Sequence, residues 1–93
     1  MMPDRTLHIL NKPPEHYRHH LCLEAIGPED GLVFIENGVL AVVQLPTSAP
    51  DRWYALAPDL EARGLIGQIG EDRVISFDDM VELTATAGKV ISW

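Results

Sequence analysis

The sequence has little cysteine and little positive charge, and both scarcities narrow its possible functions. Its single cysteine, Cys22, excludes an intramolecular disulfide and a multi-cysteine metal site. Seven lysine and arginine residues stand against fourteen aspartate and glutamate residues, which gives a formal net charge of -7 and a pI near 4.8. Because phosphate binding needs clustered positive charge, we expect no direct binding to nucleic acid.

The chain also lacks an apolar run long enough to span a bilayer, so we expect no membrane association. One cysteine without a partner fits the reducing cytoplasm. What the chain does have is 46% hydrophobic residues in 93 positions, which predicts one folded domain over residues 1–93. A domain of this size buries a modest fraction of its surface, and this favours an oligomer.

The stretch 31–43, GLVFIENGVLAVV, is the most informative part of the sequence. Residues 32–35 form a continuous apolar run that is typical of a strand buried on both faces. Glu36, Asn37 and Gly38 interrupt this run at the carboxyl end of the predicted strand, where open α/β sheets form their sites. We therefore predict an interface at these three residues. The next segment, 39–44, is either a short helix or the second strand of a hairpin.

Strands and short helices alternate along the rest of the chain. Strands are predicted at 6–10, 32–35, 53–56, 74–77 and 89–93, and helices at 15–26, 58–63 and 78–85. Gly64 is the predicted C-cap of the second helix and Asp78 the predicted cap of the third. This order indicates an α/β fold with a mostly parallel sheet of four or five strands and helices on both faces.

The first predicted helix carries the candidate chemistry. Tyr17, Leu21 and Ala25 recur at helical spacing and predict its buried face. The other face carries four polar side chains, namely His16, Arg18, His19 and His20.

Cys22 is the candidate nucleophile on this helix. Arg18 and His19 precede it by four and three residues, so both could stabilise a thiolate. The alternative is an inert packing cysteine, since free cysteine is among the most buried residue types. His16 and His20 have the spacing of two metal ligands but no obvious third, so we expect neither a metal nor another cofactor.

Three large aromatic residues belong either to the core or to a partner surface. They are Trp53, Tyr54 and Trp93. We expect Trp93 to contact a partner, because a terminal residue frays unless something holds it.

An ordered set of short motifs runs along the whole chain. It comprises Leu7-His8, Asn11-Lys12-Pro13-Pro14, Cys22-Leu23, Phe34-Ile35-Glu36-Asn37-Gly38-Val39, Tyr54-Ala55-Leu56, Asp59-Leu60-Glu61-Ala62-Arg63-Gly64, Phe77, Val81-Glu82-Leu83-Thr84 and Trp93. In this set the chain resembles the TusB/DsrH-like subunits of the DsrE/F/H sulfur-relay proteins.

The resemblance implies a small DsrE-like α/β fold and a place in a heterohexamer with DsrE-like (TusD) and DsrF-like (TusC) subunits. Such a complex passes persulfide sulfur between cysteines to a DsrC/TusE-like carrier, for 2-thiolation of the tRNA wobble uridine or for dissimilatory sulfur oxidation. Cys22 matches a cysteine that DsrH-type members have and some TusB-type members lack, so it is a candidate persulfide carrier. The alternative is a noncatalytic docking subunit, or a homo-oligomer, in which Cys22 transfers no sulfur.

Overall fold

The strand β2 (Gly31–Phe34) lies at the centre of a five-stranded sheet, and all four of its residues are buried. It pairs in parallel with β1 (Thr6–Leu10) on one side and β3 (Arg52–Leu56) on the other. Two short strands, β4 (Val74–Ile75) and β5 (Lys89–Ser92), complete the order β4-β3-β2-β1-β5. This computed structural model describes residues 5–93, and its parallel sheet confirms the predicted α/β fold class.

Within residues 5–93, three α-helices and two 3-10 helices connect the strands. The α-helices are α1 (Tyr17–Ala25), α2 (Ala57–Ala62) and α3 (Phe77–Thr86), and the 3-10 helices are Glu36–Gln44 and Glu71–Arg73. Of the two alternatives for residues 39–44, the helix is therefore correct and the hairpin is wrong. Among the helices of residues 5–93, none has the length and hydrophobicity needed to cross a membrane.

The ends of α2 and α3 show how local sequence sets the helix boundaries. Gly64, just after α2, has a φ of 67°, a left-handed conformation that glycine adopts at little cost, as its predicted capping role requires. The predicted cap Asp78 is wrong, because Ser76 caps α3 instead. The Ser76 hydroxyl accepts from the Asp79 N–H, and the Asp79 carboxylate accepts from the Ser76 N–H, at 3.1 Å in each case.

The sheet buries apolar side chains on both faces, as the unbroken apolar run of β2 predicts. On one face, α1, α2 and the 3-10 helix Glu36–Gln44 pack against a cluster that includes Leu10, Leu32 and Phe34. On the other face, α3 packs against a smaller cluster around Leu7 and Val33. The helices therefore lie on both faces, in the three layers that were predicted.

The predicted buried face of α1 is wrong. Tyr17 is 65% exposed and Leu21 is 45% exposed, whereas His19 and Cys22, on the opposite side of the helix, are buried. His19 tolerates burial because its Nδ1–H donates to the Lys12 carbonyl at 2.8 Å. The spacing of the apolar residues predicted the wrong face because His19, whose ring is hydrogen-bonded to the Lys12 carbonyl, occupies a core position.

Candidate functional site

Cys22 lies inside the protein. Its relative exposure is 0%, and it belongs to the same core cluster as Leu10, Leu32 and Phe34. Burial raises the pKa of the Cys22 thiol from 9.0 to about 12, because an apolar environment disfavours the charged thiolate. At neutral pH this side chain is therefore a protonated thiol that packs as a small hydrophobic group.

The two predicted thiolate stabilisers do not act on this sulfur. The His19 ring donates to Lys12 and stacks on Phe34, with ring centroids 6.3 Å apart. Within residues 5–93, no hydrogen bond or ion pair joins Arg18 or His19 to the Cys22 sulfur. Burial is the single cause of the pKa shift, and no neighbouring positive charge opposes it. Sulfur transfer at Cys22 stays a prediction, and these contacts count against it.

The sheet has a topological switch point between β1 and β5, where α/β proteins commonly form a ligand crevice at the carboxyl ends of the strands. In this protein Lys12 and Trp93 lie at that position, just after β1 and β5. The Lys12 ammonium donates to the Trp93 main-chain oxygen at 2.7 Å and to the Asn11 side-chain oxygen at 2.6 Å. Trp93 is half-buried against the core, and its own backbone N–H donates to Ile9. Its contacts within the chain hold this residue in place.

A partly buried series of hydrogen bonds, with His8 at its centre, links Trp93 to the opposite end of the sheet. The Trp93 indole N–H donates to His8 Nδ1 at 3.0 Å, so Nδ1 carries no proton and His8 Nε2 carries it. Nε2 then donates to an Asp30 carboxylate oxygen at 2.9 Å, which also accepts from the Gly27 N–H at 2.8 Å. Desolvation by itself would raise the pKa of Asp30, but the hydrogen bonds from Gly27 and His8, together with the nearby positive charge of Arg5, hold the pKa below its usual value.

Sequence reasoning missed this chain of hydrogen bonds. Its three side chains are separated by 22 and 85 positions, so no local motif brings them together. One signal was available: His8 is a polar residue inside an apolar strand, and such a residue needs a hydrogen-bond partner when it is buried. These hydrogen bonds connect β1, the end of β5 and the turn before β2.

The predicted interface residues at 36–38 lie where β2 passes into its 3-10 helix. The Glu36 N–H donates to the Asp59 carboxylate at 2.7 Å, and the Asn37 side-chain oxygen accepts from Arg63 at 2.9 Å. Both contacts fasten this turn to α2, while the Glu36 and Asn37 side chains stay exposed.

Gly38 is buried at this turn. A Cβ there would lie 2.1 Å from the Leu10 carbonyl oxygen, so no larger residue fits. Glycine is required here by the close approach of two backbones.

A groove of about 480 Å³ separates α1 from the 3-10 helix Glu36–Gln44. It is lined by Pro14, His19, His20, Leu23, Glu24, Ala41, Gln44, Pro46 and Ser48. His16 is not among the residues that line this groove, and its ring stacks on Tyr17. No group of three metal-binding side chains occurs among residues 5–93.

Several large apolar side chains project from the helices instead of packing inside. Tyr17 and Leu21 do so on α1, and Phe77 and Val81 on α3. Each pair is four residues apart, so its members lie on one face of their helix. The described residues thus form a parallel α/β layer with a buried thiol and with exposed apolar side chains on α1 and α3.

Comparisons with known proteins place the chain in a family. A family model described as DsrH-like protein matches residues 12–90. Two similar proteins are Protein TusB from Shigella dysenteriae serotype 1 (strain Sd197), 35% identical, and Protein TusB from Enterobacter sp. (strain 638), 34% identical. Each alignment covers 94% of this chain and 99% of the relative. The chain therefore belongs to the DsrH-like family, the family of sulfur-relay subunits that its motifs indicated.

A solved structure supports the fold. The solution NMR structure of protein Tm0979 from Thermotoga maritima superposes with a TM-score of 0.62 over 86% of this chain and 91% of that one. The two sequences are 24% identical, so this likeness concerns the fold alone.

Proposed function

We propose that this chain is a noncatalytic assembly subunit of a cytoplasmic sulfur-relay complex that serves 2-thiolation of the tRNA wobble uridine. Its partners are the DsrE/TusD-like and DsrF/TusC-like subunits, and the complex delivers sulfur to a DsrC/TusE-like carrier. Membership in the DsrH-like family supports the relay. The TusB names of its relatives favour the tRNA branch over dissimilatory sulfur oxidation.

The burial of Cys22 carries the noncatalytic part of this proposal. In a relay step a thiolate attacks the outer sulfur of a donor persulfide, forms a new S–S bond and releases the donor as a thiolate. The attacking sulfur must be deprotonated and within reach of a partner's cysteine. Cys22 meets neither condition, because it is fully buried and its pKa is raised to about 12. The sulfur therefore passes between cysteines of the partner subunits.

The exposed apolar side chains support the assembly role. Phe77 is 58% exposed and Val81 is 47% exposed on the outer face of α3. Such groups gain free energy when a partner removes them from water, by about 25 cal/mol for each Å² of apolar area buried. A small chain with this surface is stabilised by association.

The test is complementation of a strain that lacks its own DsrH-like subunit and has lost 2-thiouridine from its tRNA. We expect the wild-type chain and Cys22→Ala to restore 2-thiouridine equally when tRNA nucleosides are quantified by mass spectrometry. Alanine suits this helix position because it keeps helix propensity and adds no polar group to the core.

Two results would contradict the proposal, each in a different part. If Cys22→Ala folds and assembles normally but does not restore thiolation, Cys22 is a relay thiol. A sulfur-mass adduct on Cys22 after incubation with a persulfide donor would support the same conclusion. If the wild-type chain itself fails to restore thiolation although it assembles, the tRNA branch is wrong.

A further inference from the structure

The outer face of α3 combines exposed apolar groups with charge of one sign. Phe77 and Val81 project outwards, whereas Met80 and Leu83 pack towards the sheet. No residue of α3 is fully buried, although α3 packs against the face of the sheet that carries Leu7 and Val33. The apolar pair is therefore left for another surface to cover.

The charged residues of α3 are all acidic. They are Asp78, Asp79 and Glu82, and the helix has no lysine or arginine. The Asp79 carboxylate accepts from Ser76 in the capping box. Within residues 5–93, the side chains of Asp78 and Glu82 make no hydrogen bond or ion pair, so their charges face solvent. Each follows one of the exposed apolar residues directly in the sequence.

A depression of about 220 Å³ lies beside this helix. It is lined by Tyr54, Ile75, Asp79, Glu82 and Leu83. Aliphatic and aromatic walls suit the methylene stem of a long basic side chain, and the two carboxylates suit its charged end. An arginine fits this chemistry well, because it stacks on aromatic rings and binds carboxylates through a planar group.

We propose that the outer face of α3 is the docking surface for a partner subunit whose own contact surface is apolar and bordered by arginine or lysine. The partner covers Phe77 and Val81, and one of its basic side chains enters the depression beside Glu82. This inference rests on the proposed function, since it assumes that the chain works inside a hetero-oligomer.

The charges of the chain argue against a second copy as the occupant. Two copies meeting through α3 would bring two acidic helices together, which is unfavourable. A second copy has little free positive charge to offer from elsewhere, because four of its seven basic side chains are held within their own chain. These four are Arg5, Lys12, Arg63 and Arg73.

The experiment measures binding of the full chain to the co-purified DsrE-like and DsrF-like subunits of the same organism by calorimetry. We expect Phe77→Ser/Val81→Ser to weaken binding by about 30-fold or more, as for a central apolar contact. Its matched control is Tyr17→Ser/Leu21→Ser, which removes an exposed apolar pair with the same spacing from α1 and should leave binding unchanged.

A charge reversal tests the electrostatic part without altering the apolar pair. We expect Glu82→Arg to weaken binding by about tenfold or more and to reduce its dependence on salt, since an opposed charge pair is lost. Glu61→Arg, an exposed position on α2, makes the same change in net charge and should bind like the wild type. Circular dichroism confirms that each variant is folded.

The outcomes separate this inference from the proposed function. If the wild type binds and both α3 variants bind equally well, the docking surface is wrong and the assembly role stands. If the wild type does not bind these subunits, both proposals fall. If the wild type alone forms a dimer that Phe77→Ser/Val81→Ser dissociates, the occupant is a second copy and the proposed partner is wrong.

Discussion

The reactivity of Cys22 is the sharpest test of its burial. A thiol-alkylating reagent needs both access to the sulfur and a thiolate. The folded protein denies both, because Cys22 has no exposed surface and its pKa is raised from 9.0 to about 12. We therefore expect iodoacetamide at pH 8 to modify the native chain only through molecules in which α1 has opened.

The size of the protection follows from these two properties. A shift of three pKa units makes the thiolate about a thousandfold rarer than at the ordinary pKa. The reagent can also reach Cys22 in molecules in which α1 has opened. An opening free energy of about 5 kcal/mol makes these molecules several thousandfold rarer than the closed ones, and it slows labelling by the same factor. The native rate should therefore lie about a thousandfold or more below the rate in concentrated urea.

The assay is mass spectrometry of the intact chain at timed intervals, with the same reagent added to native and urea-unfolded samples. A native rate within about tenfold of the unfolded rate would show that the sulfur is accessible. That result would remove the basis for treating Cys22 as a packing residue and would restore it as a candidate carrier.

The same burial predicts a loss of stability at alkaline pH. Because the folded pKa of Cys22 lies above the unfolded value, its contribution is complete below about pH 9 and is lost as the pH rises towards 12. Relative to Cys22→Ala, the wild type should lose about 1.4 kcal/mol of unfolding free energy for each pH unit in that window. Urea titrations of both proteins from pH 8 to 11 measure the difference, and parallel pH profiles would contradict the burial.

Three further substitutions test the fold around the candidate site. Gly38→Ala places a Cβ 2.1 Å from a backbone oxygen and should lower the free energy of unfolding by about 3 kcal/mol or more. The control Gly67→Ala, which has open space around it, should change the melting temperature little. Equal melting temperatures of the two variants would contradict the close approach at Gly38. Ser76→Ala removes the capping box of α3 and should lower the free energy of unfolding by about 1 kcal/mol in urea titrations, and an unchanged midpoint would count against the cap. Asp30→Asn weakens the contacts with His8 and with the turn before β2. Because the folded pKa of Asp30 lies below its ordinary 3.8, the loss of stability should be complete at pH 7 and should shrink as the pH falls below 3.8. A loss of stability that stays constant down to pH 2 would contradict the lowered pKa.

The layered fold was predictable because its signals are local in the sequence. The apolar run 32–35 belongs to a strand buried on both faces, and turn residues punctuate the strands and helices that follow. The first strand was predicted with its observed bounds, and the others differ by one or two residues. The main misjudgement at a helix start was Asp78, because Ser76 two positions earlier forms the cap.

The candidate site was less predictable, because it depends on contacts between distant parts of the chain. Apolar spacing alone placed Tyr17 and Leu21 inside, and only the loop after β1, which supplies the Lys12 carbonyl, makes His19 acceptable in the core. With His19 turned inwards, Cys22 follows it into the interior.

The sequence by itself determined the family, the parallel α/β layers and the presence of one thiol. Only the tertiary structure decided that Cys22 is buried, that Lys12 holds Trp93 beside β1, and that Phe77 and Val81 are exposed. The physical reason is that apolar periodicity is written in neighbouring residues, whereas burial, hydrogen-bond partners and pKa are set by groups that meet only when the sheet forms.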